Sequence, residues 1–223
     1  MIDKRIYNLE AALSGIKDGA TILVSGFGNA GSPIQLLEGL IDQGARDLTI
    51  VANNAGEGEF GLAALMKAGR VRKVVCSYPR SSGSIIFEKL YEKGRIKLEV
   101  VPQGTLSERM RAAGSGIGGF FTPTSAGTLL GVDKETREID GRLHVLESPL
   151  KGDVALVKGD VGDRWGNLTY NKSARNFGPT MAMAADLTIA QVQEISELGG
   201  ISPESVITPG IFVDRVIELK ERS

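Results

Sequence analysis

Short β-rich runs alternate with helically spaced apolar stretches through the first half of this chain, and that alternation restricts its fold more than any other feature. Thr21–Val24, Leu48–Ala52, Val71–Ser77 and Ile96–Val101 read as strands. Between them stand helical segments. Pro33 opens one that runs through Leu36, Leu37, Leu40 and Ile41 and closes at Gly44. Others are predicted over 60–68, ending at Gly69; over 84–93, ending at Gly94; and over Thr105–Ala113. Ile6, Leu9, Leu13 and Ile16 have helical spacing, which predicts a helix over 3–16. Strand alternating with helix implies βαβ units and an α/β fold: an open, mainly parallel sheet with helices on both faces. Beyond residue 115 the pattern weakens. Gly114–Gly119 reads as a loop, and Leu143–Leu146, Val154–Val157, Leu187–Val192 and Phe212–Ile217 read as strands. No repeat or long linker interrupts the chain, so one domain is expected over 1–223.

Composition narrows the function. A net charge of −1 with no basic block argues against a nucleic-acid binder. Met1–Glu10 is charged and has no apolar leader core, and no apolar run approaches the roughly 20 residues needed to span a bilayer. A cytoplasmic protein is therefore expected, with no membrane partner. The single cysteine, Cys76, permits no internal disulfide and sits in an apolar run, as a small buried hydrophobe would. His144 is the one histidine, so neither a zinc cluster nor any other metal site is expected, and no nucleophile elbow marks a serine hydrolase.

Gly26-Phe27-Gly28-Asn29-Ala30-Gly31 fits G-x-G-x-x-G, follows a predicted strand and precedes a helix. This is the setting of the dinucleotide fingerprint, and it makes a nicotinamide-dependent oxidoreductase one reading. That fingerprint also needs an acid at the end of the second strand to hold the ribose. Here the second strand ends in Ala52-Asn53-Asn54, and Asp47 lies before it, at the wrong end of the sheet. The glycines still allow close approach of another group, with amides near a helix start, although a plain strand-to-helix turn would use them too. Asn53-Asn54-Ala55-Gly56 ends the second strand, either as turn formers or as ligand contacts. Pro102-Gln103-Gly104 ends another strand at the same sheet edge and offers an amide donor that does not titrate.

Together these loops resemble the A subunit of the family I CoA-transferases, the 3-oxoacid group in particular. The resemblance runs through Asp18-Gly19, Gly26-Phe27, Gly31, Pro33, Asn53-Asn54-Ala55-Gly56, Pro102-Gln103-Gly104, Arg111-Ala112-Ala113-Gly114 and Phe121-Thr122-Pro123-Thr124. It continues in Lys134-Glu135 to Gly141, Asp163-Arg164-Trp165-Gly166-Asn167 and Ile207-Thr208-Pro209-Gly210. It implies that CoA passes between succinyl-CoA and a 3-oxoacid through a glutamyl-CoA thioester. The nucleophile of that family lies on the B subunit, in a Ser-Glu-Asn-Gly motif that this chain lacks.

The resemblance further implies a B-subunit partner, in an A2B2 assembly, and coenzyme A as a substrate rather than a resident cofactor. By the same token Gln103, Asn53 and Asn54 would be active-site residues, with Gln103 donating to the developing oxyanion. The loop Gly26, Phe27, Gly28, Asn29, Ala30, Gly31 and Ser32 would contact CoA. Glu57 and Glu59 match no nucleophile position of the family. One departure concerns the pocket: the family commonly has Gly-Tyr where this chain has Ser125-Ala126, which implies a roomier acyl site. A CoA-binding protein without catalysis is the remaining alternative, separated from a transferase component by whether a B chain pairs with it.

Overall fold

The computed structural model describes residues 2–80 and 83–220; Met1 and residues 221–223, the extremes of the expected domain, lie outside them. In chain order the elements begin with β1 (Arg5–Ile6), α1 (Leu9–Leu13), β2 (Thr21–Val24), α2 (Ile34–Gln43), β3 (Leu48–Asn54), α3 (Gly61–Lys67) and β4 (Val71–Tyr78). Next come α4 (Ile85–Glu92), β5 (Lys97–Val100), α5 (Gln103–Gly114), β6 (Phe120–Thr122), β7 (Thr136–Ile139) and β8 (Arg142–Glu147). The last are β9 (Gly152–Lys158), β10 (Val161–Asp163), α6 (Gly178–Met183), β11 (Ala185–Val192), β12 (Glu194–Ser196) and β13 (Arg215–Glu218).

Eight strands form the central sheet in the order β1-β13-β11-β9-β2-β3-β4-β5, and every neighbouring pair runs parallel. Alternate residues of each strand enter opposite cores, because successive side chains point to opposite faces. Ile22, Val24, Ile50, Val74 and Leu156 meet Leu13, Leu36, Leu40, Leu65 and Phe87 of α1–α4 on one face. Leu23, Val51, Val75, Ala155 and Val157 meet Leu106 and Met110 of α5 and Met181 of α6 on the other. Both faces are thus covered by helices, as an α/β fold requires. Cys76 is buried in the first core, where burial pushes its thiol up to about 12 against a smaller pull from the Tyr78 backbone.

From β2 the chain steps outward through β3 and β4 to β5, whereas β9, β11 and β13 lie on the other side of β2. The strand order therefore reverses between β2 and β9. In open α/β sheets ligands sit beyond the carboxyl ends of the strands at such a reversal.

Three expectations need correction. The helix expected over 3–16 is only Leu9–Leu13, started by Asn8, whose Oδ1 accepts from Ala11 N at 2.8 Å. Arg5–Ile6 pairs instead with Val216 and Ile217, and Lys4 Nζ binds the carbonyls of Gly210 and Val213 at 2.7 and 2.6 Å. A partner about 200 residues away thus takes priority over local spacing. Phe212 lies in a 3-10 turn, and the last strand begins at Arg215. Between 115 and 150 the chain builds a three-stranded antiparallel sheet, β6-β8-β7, of which only the middle strand was legible. An ion-pair chain ties this small sheet to the edge of the large one: Lys73 to Glu99 (2.5 Å), Glu99 to Arg109 (3.3 Å), Arg109 to Glu147 (4.0 Å) and Glu147 to Lys134 (2.5 Å).

Candidate active site

Every residue singled out in the glycine loop, the asparagine pair and Gln103 lies at the carboxyl edge of β2, β3 and β5. A cavity of about 410 Å³ opens there, lined by Phe27, Gly28, Asn53, Asn54, Glu57, Ser77, Tyr78 and Gln103. Phe27 and Tyr78 are 56% and 62% exposed and form its outer, aromatic part. Asn53, 3% exposed, lies at its floor.

The polar centre of the cavity is an amide pair. Gln103 Nε2 donates to Asn53 Oδ1 at 2.6 Å. Gln103 is not a loop residue, as its place before Gly104 suggested; it is the first residue of α5, with Pro102 as the preceding cap. Helix start and strand end therefore fix the two side chains from opposite directions. Each amide carries two N–H donors. One donor of Gln103 is used on Asn53; among the described residues no protein acceptor takes its second N–H or the amide nitrogen of Asn53. Asn54, next along the strand, faces differently: its Oδ1 accepts from Gly56 N at 3.1 Å and closes the turn after β3. Asn54 thus forms a turn, and both residues line the cavity.

The glycine loop is a folded turn before it is anything else. Phe27 N donates to Ala30 O at 3.0 Å and Ala30 N returns to Phe27 O at 3.2 Å. Gly26, Gly28 and Gly31 have φ of +136°, +58° and +70°, a region that favours glycine. Gly26 and Ser32 amides are also satisfied internally, by Asn176 Oδ1 and Asn29 O. Among the described residues the amides of Gly28, Asn29 and Gly31 donate to no protein acceptor, so these three remain for an outside group. The loop has two sides. Phe27 and Gly28 face the amide pair, whereas Asn29, Ala30 and Gly31 border a second cavity of about 390 Å³ with Lys158 and Lys172.

Glu57 joins the glycine loop and the cavity, its carboxylate oxygens lying 3.9 and 4.0 Å from where a Cβ on Gly28 would stand. Glu59 lies apart and pairs with Lys67 at 3.2 Å on the surface. Ser125 and Ala126 do not line the cavity. Ser125 has φ +75°, and its carbonyl accepts from Thr128 N and Oγ1 at 3.1 and 2.9 Å, so the pair builds a turn between β6 and β7 of the small sheet. The acidic residue that a ribose would need is missing from the end of β3, and Asp47 precedes that strand.

Sequence reasoning passed over Ser77, Tyr78 and Asn176. Ser77 and Tyr78 end β4 between the asparagines and Gln103, a position that the strand order alone would have flagged. Asn176 gave a weaker signal, an asparagine two residues before the Gly178-Pro179 start of α6. Among the described residues no group of three or more His, Cys, Asp or Glu could hold a metal ion, and no helix is long and apolar enough to cross a membrane.

A family model described as coenzyme A transferase matches residues 6–219. The chain is 64% identical over 217 residues to the A subunit of the 3-oxoadipate CoA-transferase from Pseudomonas putida, covering 97% of this chain and 94% of that one. It is 47% identical over 215 residues to the A subunit of the succinyl-CoA:3-ketoacid coenzyme A transferase from Xanthomonas campestris pv. campestris strain B100, covering 96% and 88%. Its fold matches that of the acyl-CoA transferase YdiF of Escherichia coli O157:H7 in a thioester complex with CoA, with TM-score 0.86 at 22% identity. That match covers all of this chain and 48% of the YdiF chain, so this chain spans about half of that structure's length.

Proposed function

The chain belongs to the coenzyme A transferase family, and from that membership we propose that it is the A subunit of a 3-oxoacid CoA-transferase, moving CoA between succinyl-CoA and a 3-oxoacid such as 3-oxoadipate or acetoacetate. One observation carries the mechanistic part: the hydrogen-bonded pair Gln103–Asn53 in the wall of an open cavity beyond the carboxyl ends of the strands. Two neutral amides there can stabilise negative charge on an oxygen but cannot form a covalent bond with an acyl group.

The reaction that fits such a wall is acyl transfer through a carboxylate supplied from outside this chain. The B subunit's glutamate attacks the thioester carbonyl, and the carbonyl oxygen takes up the electron pair of the broken π bond. Gln103 and Asn53 donate to that oxyanion. Collapse expels CoA as its thiolate and leaves a mixed anhydride. The thiolate then attacks the glutamyl carbonyl, forming the enzyme thioester and releasing succinate. The 3-oxoacid carboxylate repeats these steps in reverse and leaves as its CoA ester. Splitting one transfer in this way replaces a high barrier with lower ones, and fixed donors facing the developing charge lower each of them. Gly28, Asn29 and Gly31 offer amides to the CoA portion, which is a substrate and not a resident group. The aromatic rim of Phe27 and Tyr78 faces the partner in an A2B2 assembly, with the active site shared between the chains. Chain 1–223 acts as one domain in a cytoplasmic enzyme.

The test is the site of covalent attachment. Purified chain alone should show no transfer, and one equivalent of B chain should restore it. With succinyl-CoA the reconstituted complex should carry the CoA mass adduct on the B chain. An adduct on Glu57, or on any other residue of this chain, would overturn the division of roles.

A further inference from the structure

Asn176 lies about 150 residues beyond the glycine loop in the chain, yet it holds both ends of that loop. Its Oδ1 accepts from Gly26 N at 3.0 Å and from Phe177 N at 2.7 Å. Its Nδ2 lies within hydrogen-bond reach of Ala30 O at 3.0 Å, Ala174 O at 3.0 Å and Ser173 O at 3.2 Å. One side chain thus bridges the start of the loop, its far limb and the 3-10 turn Lys172–Arg175.

The backbone around it is strained in a way that the local sequence does not require. Asn176 has φ +20° and ψ −115°, and Lys172, at the other end of the turn, has φ +50°. Non-glycine residues keep such angles only where their surroundings over-determine them, and such positions concentrate at functional sites. The packing beneath is equally tight. A Cβ on Gly31 would collide with the Ala174 carbonyl and stand 2.7 Å from Asn176 Nδ2. The loop therefore rests directly on the turn that Asn176 organises. On the sheet side Ser25 is the counterpart: its Oγ donates to Gly31 O at 2.7 Å and accepts from Lys158 N at 3.1 Å.

Two anchors are thereby set on either side of the amides of Gly28, Asn29 and Gly31, the loop donors that no protein acceptor uses. We infer that Asn176 is a positioning residue of the active site: it clamps the glycine loop so that those amides stand in the geometry that receives the acyl-CoA. The inference rests on the reading of the loop as the CoA-facing wall. It assigns a residue outside the cavity the task of keeping that wall in place, which a glycine-rich turn cannot do unaided because glycine restrains its own backbone least.

The test uses the complete complex with the B chain and the variants Asn176→Ala, Asn176→Gly and Asn176→Asp. Two readouts are needed: kcat and KM for succinyl-CoA and for the 3-oxoacid, and hydrogen exchange of segment 25–32 against segment 48–54 of β3. Alanine should lower kcat/KM for succinyl-CoA by about ten- to a hundredfold, since misplacement of about 1 Å can cost about a hundredfold. Exchange should rise in 25–32 and stay unchanged in 48–54. Glycine accepts the backbone angles and lacks the amide, so it should be as impaired as alanine; recovery with glycine would mean that only backbone conformation matters and would overturn the inference. Aspartate keeps the acceptor for Gly26 but sets a carboxylate oxygen against the Ala30, Ser173 and Ala174 carbonyls, so its kcat/KM should fall at least as far as that of alanine. If alanine yields too little complex, the glycine variant decides by the same two readouts. Unchanged exchange in 25–32, or kcat/KM within about twofold of wild type per folded complex, would refute the clamp. A wild-type complex without any CoA transfer would instead refute the transferase reading, and the exchange data would still judge the clamp.

Discussion

Gln103 and Asn53 stand fifty positions apart in the chain and 2.6 Å apart in space, the amide nitrogen of one donating to the amide oxygen of the other. Each restrains the other, so neither has to be ordered by substrate. Such preorganisation makes a donor effective against charge that exists only in the transition state.

Gln103→Ala should therefore reduce turnover of the reconstituted complex by about 10²–10³, the usual effect of removing one oxyanion donor. Because Gln103 is the first residue of α5, alanine preserves the helix, and the lost bond to the buried Asn53 should lower the melting temperature by only a few degrees, roughly 2–4 °C. A loss below about threefold in kcat would remove Gln103 from the mechanism.

The glycines of the loop should not be equivalent. Gly28 has φ +58° and open space, with nothing nearer to a Cβ than Glu57 Oε1 at 3.9 Å, so Gly28→Ala meets backbone strain of roughly 1–2 kcal/mol and little more. Gly28→Val adds branching and bulk toward the cavity and should raise KM for acyl-CoA above the alanine value. Gly31→Ala adds a collision with the Ala174 carbonyl to the same strain and should lower thermal stability more than Gly28→Ala. Equal melting temperatures for the two alanine variants would contradict this packing.

Acid should weaken the junction of the two sheets through Glu99. Burial raises its carboxyl, but Lys73 and Arg109 together outweigh burial and hold it below the usual range. A depressed carboxylate contributes stability that is complete above its unfolded value, about 4.3, and is lost as pH falls through the lower folded value. The melting temperature of Glu99→Gln should lie a few degrees below wild type at neutral pH, roughly 1–4 °C for a partly exposed pair. That gap should close as the pH is taken from about 5 toward 3, below the unfolded value. A gap that stays constant over this range would mean that the charge on Glu99 contributes nothing.

Cys76 should be inert in the native protein. It is buried in the core under α1–α4, and its thiol is pushed up to about 12, so almost no thiolate exists at neutral pH. A disulfide reagent should label it only as fast as the chain unfolds. Rapid, stoichiometric labelling under native conditions would show that the strand end is open.

Much of this molecule was legible from residue order alone, and what was legible is local. Helix starts and stops depend on neighbours within a few residues, so Pro33, Gly44, Gly69 and Gly94 marked boundaries that the structure keeps. Strand–helix alternation placed the glycine loop, Asn53-Asn54 and Gln103 at strand ends, hence on one edge of a parallel sheet, before any contact between them was known. Pairing over long distances was not legible. Arg5–Ile6 joined the sheet edge beside Val216 and Ile217 against its own helical spacing; β6, β10 and β12 are only three residues long, and β7 is mostly exposed and carries Arg137 and Glu138, so none of them gives a strand signal. The direction in which each site side chain points was hidden for the same reason. That Gln103 turns to Asn53 and that Asn176 reaches the loop from the far half of the chain follow from closing a sheet whose strand order reverses between β2 and β9. Hydrogen bonds within a turn are set by neighbours a few residues away; these are set by which segments the folded sheet brings together, and only the tertiary structure decides that.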